Sequence, residues 1–529
     1  MDARTRIAGA LLALAVASIT AAHDAPEGRG RLGTVTFPNS CNPAVQEEFT
    51  RAVAMLHSFW YTAGEQAFRN VLRNDPECGI ATWGIASLLM SNPLAGQGAS
   101  PQGAADAQAL IEQGRRIGAK TQRERDYLEA VAEYYRDWSG RSERARQESR
   151  SRAYEALAQK YPDDDEAQIF HALYLAGTQS QADQTYGAYL RAASILEKQF
   201  AKHPDHPGVA HYLIHSYDAP PIADKGLTAA RRYATIAPAA PHALHMPSHI
   251  FTRVGAWEES VATNRRSAEV AVQGNEPDEA YHANDYAVYA LLQLARDDEA
   301  RREIDAANKV ALGEARFVGP YAAEAMRARY AVERGAWKEA AALEPRPSKY
   351  PFVESIGRFA RALGAARSGD VAVAEKEAEA LAGLHKALLD AKNGYWATEV
   401  EVQRLAAAAW IALARGQQDE ALKFMRAAAD LEDRNEKHIV TPGRILPARE
   451  LLGDMLLEVG QPAQALKEYE ASQAREPNRF RGLYGASIAA EGAGDRDRAV
   501  RYASKLAEMT RNAPSARPEL LRIKAAATR

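Results

Sequence analysis

Two stretches of this chain repeat each other at a single offset of 34 residues, and the repeat carries prolines and histidines together. Pro204 superposes on Pro238, Pro207 on Pro241, His211 on His245 and His215 on His249. A period of 34 is that of a helical hairpin, and a proline at the same place in each copy suits the first turn of a helix, where the missing amide has no partner to lose. Histidines four residues apart share a helix face, so the same two imidazoles recur at matching places on neighbouring helices. The stretch from about residue 204 to 295 is therefore read as stacked hairpins with a histidine-lined patch.

The hairpin turn can be counted along the rest of the chain. A Gly or Ala followed five residues later by a small residue recurs as Gly255/Ser260, Ala295/Ala300, Gly335/Ala340, Gly369/Ala374, Gly416/Ala421, Gly460/Ala465 and Gly494/Ala499. Glycine suits the left-handed residue that ends a first helix, and the small residue lets the second helix pack closely against it. Trp257 and Trp337, two residues after their glycines, are expected inside their hairpins. Steps longer than 34 place residues in loops, such as 344–351 and 434–447. Strand alternation is almost absent, and apolar residues recur at three and four. Asn42 before Pro43 and Ser100 before Pro101 are cap-then-proline helix starts. The Gly-, Pro- and Ser-rich segment 91–103 reads as a loop inserted at one edge. The charged run 141–152 reads as a solvated helix face.

At 529 residues the chain would ordinarily divide into several domains, but a repeat array buries one continuous core, and 46% apolar residues suffice for it. Lys plus Arg is 66 and Asp plus Glu 69, a balance that argues against a nucleic-acid binder. Residues 1–22 carry Arg4 and Arg6, an apolar run from Ile7 to Ile19, then small residues ending at Ala22, the order of a secretory signal. The run is too short to span a bilayer. Export to a periplasm or the cell exterior is expected, leaving a 23–42 tail, a 43–512 solenoid and a fraying 513–529 tail. The two cysteines, Cys41 and Cys78, flank the first hairpin and suggest one disulfide in an oxidising compartment. His23, at the start of the mature chain, is read as part of a flexible tail.

This pattern resembles the tetratricopeptide repeat family over most of the chain from Pro43 onward, which implies an all-α, right-handed α-solenoid. More narrowly, Cys41-Asn42-Pro43, Asp75 to Cys78, Trp83 to Ala86, His245 to Trp257 and Val440 to Gly453 are similar to segments of a group of secreted bacterial proteins with such repeats. In the family, one face of each first helix lines a concave ligand groove. The resemblance thus implies a groove formed by His211, His215, His242, His245, His249, His282 and Asp285, with Tyr289 at the matching place. Asp218 and Arg253 lie one turn further on, at the rim.

The groove admits three readings. The first is recognition of a peptide or protein partner through hydrogen bonds to the imidazoles. The second is a metal site for zinc or copper, with or without metal-dependent chemistry, in which the pairs His211/His215 and His245/His249 converge and Asp285 is a further ligand or fixes an imidazole tautomer. The third is a cell-envelope assembly scaffold with structural histidines. Pro247, between His245 and His249, should kink or start a helix and redirect the two rings. No HExxH signature and no nucleophile beside a base is present, so no catalytic residue is assigned. His57 and His171 are read as satisfied core residues, and His203 and His206 as turn residues. His438 is placed in a loop that folds over the groove or simply connects two hairpins. Glu450 and Asp454 are read as a groove-facing acidic pair on a late repeat.

Overall fold

The seven turn residues that pace the sequence share one backbone conformation. Gly255, Gly335, Gly369, Gly416, Gly460 and Gly494 take φ between 63° and 87°, and Ala295, the one non-glycine, takes 53°. Five residues on, Ser260, Ala300, Ala340, Ala374, Ala421 and Ala465 are fully buried where paired helices meet. A left-handed residue reverses the chain, and the small side chain sets the approach of the second helix.

These observations come from a computed structural model that describes residues 30–313, 316–514 and 517–527. The described chain is an all-α solenoid of tetratricopeptide-like hairpins in which consecutive helices pack as pairs. Leading helices also pack on one another, so Pro277–Gln293 lies on Val318–Val332, which lies on Pro351–Arg367 and then Gly394–Ala414. The expected signal segment and His23 lie outside the described residues. No described helix is long and apolar enough to cross a membrane.

Local starts follow the sequence. Asn42 accepts from the Ala44 amide at 2.9 Å ahead of Pro43, and Ser100 from Gly103 at 3.0 Å ahead of Pro101. Pro207 and Pro241 each open their helix. Cys41 and Cys78 form a disulfide that ties residue 41 to the end of the first hairpin.

Several segments depart from the sequence reading. From Gly30 the stretch read as a tail is packed down, with Leu32, Val35 and Phe37 buried and Phe37 against Phe49, Trp83 and Tyr127. The run 141–152 is not a solvated face. Arg150 is 1% exposed over the Tyr174 ring at 4.2 Å, and Arg146 is buried over Trp138. Aromatic faces give these guanidiniums a place that charge counting cannot foresee. At the C-terminus, within the stretch read as a tail, helix Pro518–Ala527 buries Leu520 and Ile523, and Arg517 pairs with Asp297.

The array curls far enough for distant repeats to touch. The Trp257 indole donates to the Asn478 carbonyl at 2.7 Å, and the Phe480 amide to the Gln293 side chain at 3.0 Å. Segment 433–447 enters the enclosed space. The Arg329 guanidinium donates to Thr441 Oγ1 and the Gly443 carbonyl, and the Tyr286 hydroxyl lies 3.1 Å from the carbonyls of Ile439 and Thr441. His438 Nε2 lies 3.2 Å from the Ala95 carbonyl, so the 91–100 loop meets this segment from the other side.

Candidate metal centre

Helix Pro207–Tyr217 carries His211 and His215, and the Pro241–His245 turn carries His242 and His245. Pro247 does divide that leading helix. A new helix, Pro247–Val254, begins there and carries His249, while His282 comes from Pro277–Gln293. All six imidazoles are buried, between 0% and 8% exposed, and His215, His242, His249 and His282 line a space closed by segment 433–447 and the 91–100 loop. The sequence reading placed them on a groove face; the structure encloses them.

The six form two sets. In His211, His215 and His242, one nitrogen from each ring lies within 4.8 Å of the other two, and the same holds for His245, His249 and His282. Each set takes both histidines of one HxxxH pair and a third from the next hairpin, one turn earlier in the repeat. The two pairs therefore do not converge on each other. The sets adjoin, with His215 and His249 ring centroids 5.6 Å apart and those of His242 and His245 5.9 Å apart.

Proton positions follow from the partners. In the first set, His211 Nδ1 lies 2.7 Å from the His57 carbonyl, which only accepts, and His242 Nδ1 lies 3.1 Å from Glu279 Oε2. Both rings thus carry a proton on Nδ1, which leaves a lone pair on Nε2 of the neutral His211 ring and turns Nε2 of His242 toward the same set. The Nε2 atoms of His211, His215 and His242 are all buried without a hydrogen-bond partner.

The second set is more constrained. The Asn264 amide nitrogen lies 2.7 Å from the Ser260 carbonyl, so its oxygen faces His245 Nδ1 at 2.7 Å and accepts from it. His249 Nδ1 donates to Asp218 Oδ2 at 2.8 Å. With both Nδ1 atoms committed, the Nε2 atoms of His245 and His249 face each other as lone pairs only 3.0 Å apart. Nδ1 of His282, beside them, is buried and unpartnered.

The electrostatics keep His211, His215, His245, His249 and His282 neutral. Burial holds His211, His215 and His245 well below the ordinary imidazole value, and neighbouring imidazoles add to the effect. Burial takes His282 down to about 3. It also lowers His249, although Asp218 pulls the other way. Burial would raise the Asp218 carboxyl, but Lys437 and Arg253 outweigh it and hold Asp218 ionised. Arg253 Nε donates to Asp218 Oδ1 at 2.8 Å, and Lys437 Nζ stands 3.8 Å from the same oxygen.

The remaining candidates fall outside the two sets. Asp285, fully buried, is engaged by Arg329, and its expected role of fixing a tautomer falls instead to Asp218, Glu279, Asn264 and the His57 carbonyl. Tyr289 bonds to Glu476 and Arg479. Glu450 is buried against Arg479 at 2.8 Å and Asp454 pairs with Arg481, so neither faces an open groove. His57 is a satisfied core residue between Tyr212 and Glu166, each at 2.9 Å, and His206 shares Glu166. His171, in contrast, keeps Nδ1 without a partner. His203 pairs with Asp165. Sequence reasoning missed Asn264, Glu279 and Tyr286. A polar residue on the inner face of a second helix, and residues at i−3 and i+4 from His282, were the available signals.

No family model matches the chain and no curated protein does. Among solved structures, the yeast Tom70 structure is 13% identical with a TM-score of 0.31, covering 91% of this chain and 88% of that one. The APC/C hetero-tetramer Cut9–Hcn1 is 10% identical with a TM-score of 0.30, covering 90% and 95%. Naa15/Naa10 bound to HypK is 14% identical with a TM-score of 0.23, covering 90% and 70%. Likeness at this level carries nothing about function.

Proposed function

We propose that this protein binds a transition-metal ion, zinc or copper, through its buried histidines. The observation that carries the reading is the 3.0 Å approach of His245 Nε2 to His249 Nε2 when both Nδ1 protons are already placed. Two opposed lone pairs repel, and a proton between them would create a cation where burial opposes one. An ion bonded to each nitrogen at roughly 2.0–2.1 Å puts the nitrogens ~3–3.4 Å apart and removes the conflict. Each unpartnered buried nitrogen otherwise costs roughly 1–3 kcal/mol. All-imidazole ligation suits copper and zinc, and Asp218 and Glu279 supply the acceptors that orient such ligands.

A peptide partner is the weaker reading, because segment 433–447 covers the histidines it would have to touch. The Cys41–Cys78 bridge supports the extracytoplasmic address read from residues 1–22. The test uses full-length protein without a histidine tag, stripped with chelator, then dialysed against copper or zinc and assayed for retained metal. Retention that falls in the double variant His245→Ala/His249→Ala supports the proposal. Protein that is folded yet retains no metal refutes it.

A further inference from the structure

We infer that the two histidine sets form one dinuclear centre, three imidazoles to each ion, with a shared cavity that admits a small anion as an additional ligand. This rests on the metal reading above and goes beyond it in number of ions and in the class of ligand.

The repeat itself supports two ions. His211, His215 and His242 occupy the hairpin positions that His245, His249 and His282 occupy one repeat later, each set drawing its third ring from the following hairpin. A translation of the fold by one hairpin thus generates the second set from the first. Asp285 occupies the place of His245 in the next copy and is taken up by Arg329, which ends the row. Three Nε2 atoms of the first set have no partner, and the second set holds the opposed pair and the unpartnered His282 Nδ1. One ion cannot answer both sets with three nitrogens each, because four-coordinate sites fill with four ligands.

The two sets open on the same space. A cavity of about 40 Å³ is lined by His215 and His242 from the first set and by His249 and His282 from the second. A water needs roughly 10–15 Å³ of such space, so the cavity suits a molecule of two or three heavy atoms. Its walls also hold Arg316, a cation, and Tyr61, whose buried hydroxyl has no hydrogen-bond partner. Glu279 lines it as well, with one oxygen committed to His242. Loop residues Asn92 and Ala95 and His438 of segment 433–447 close the far side. Three protein nitrogens per ion leave a coordination position for an exogenous ligand; Arg316 is balanced by the Glu279 carboxylate, so the charge of the two ions, with the free Tyr61 hydroxyl as donor, selects an anion.

The experiment is copper titration of chelator-stripped, tagless full-length protein, read by bound copper and by electron paramagnetic resonance, followed by addition of azide. Two copper(II) per chain, with a resonance signal well below the copper counted, is expected for adjacent coupled ions. His211→Ala/His215→Ala and His249→Ala/His282→Ala should each retain one copper with a full signal. Azide should give a new charge-transfer band in the wild type, and Tyr61→Phe should weaken azide binding about tenfold with both coppers kept, as for loss of one hydrogen bond to a charged group. A single copper per wild-type chain, lost in both double variants, overturns the dinuclear assignment while leaving the metal reading standing. Two coppers with a full, uncoupled signal also overturn it. Absence of any azide band, or unchanged azide affinity in Tyr61→Phe, overturns the anion site. No copper at all removes the underlying function. The wild-type count decides even where a variant fails to fold.

Discussion

Individual residues around the centre divide into those that present a lone pair and those that fix where the proton sits. Asp218 belongs to the second kind, holding the His249 proton on Nδ1 while itself anchored by Arg253. Asp218→Asn is expected to weaken metal binding about 10- to 100-fold, the usual loss when such an acceptor is changed. Competition with a chelator of known affinity measures it, and an unchanged affinity would remove Asp218 from the site. Gly208 is constrained by the same machinery from behind. A methyl group there would sit 2.3 Å from His57 Nδ1, in a ring already held by Tyr212 and Glu166. Gly208→Ala is expected to destabilise the chain by about 1–3 kcal/mol, the range for overpacking, read by denaturant unfolding. It should also disturb His211, which leans on the His57 carbonyl. These positions show the limit of residue-level reading. That His211 and His215 share a face follows from their spacing, but that His242 completes their set depends on how far one hairpin is displaced along the next.

At the scale of the element, the hairpin turn was the most legible feature, because one stereochemical demand recurs at each one. The two outcomes of breaking it differ by environment. At Gly416, with φ of 77° and nothing within 4 Å of an added methyl, Gly416→Ala is expected to cost only the left-handed penalty, roughly 1–2 kcal/mol. At Gly255, with φ of 69°, the methyl would meet the Pro477 carbonyl at 2.5 Å and Asn478 at 2.7 Å. Gly255→Ala should therefore lower stability clearly more, and equal losses in the two would contradict the close approach of the late repeats to this turn. Segments that owe their place to distant partners were not legible. The run 141–152 reads as solvated until Tyr174 and Trp138 are known to lie against Arg150 and Arg146. Segment 434–447 reads as an extra-long connection, and only the Tyr286 and Arg329 contacts show that it lies over the histidines.

For the whole molecule, the curl of the array gathers seven neutral, buried histidines whose proton affinity is depressed, His57, His438 and five of the six in the centre. Burial takes His438 down to about 4 and His282 to about 3. Between those values and about 6.5 the unfolded chain binds protons that the folded chain refuses, so stability falls as pH falls, each such group contributing about 1.4 kcal/mol per pH unit over its window. Metal-free protein is expected to lose stability below pH 6.5, the depressed histidines outweighing the gain from the Glu432 carboxyl, which burial raises to about 8 and which takes up its proton in the folded chain as pH falls; thermal unfolding across pH 4–7.5 would show the net loss. A flat profile would mean that these rings are hydrated and not enclosed. The most direct test of the account is X-ray absorption at the metal edge of refilled protein. The expected spectrum has a first shell of light atoms near 2.0–2.1 Å with the outer-shell scattering of about three imidazoles per metal and no sulfur. A first shell of oxygens without imidazole scattering would contradict it.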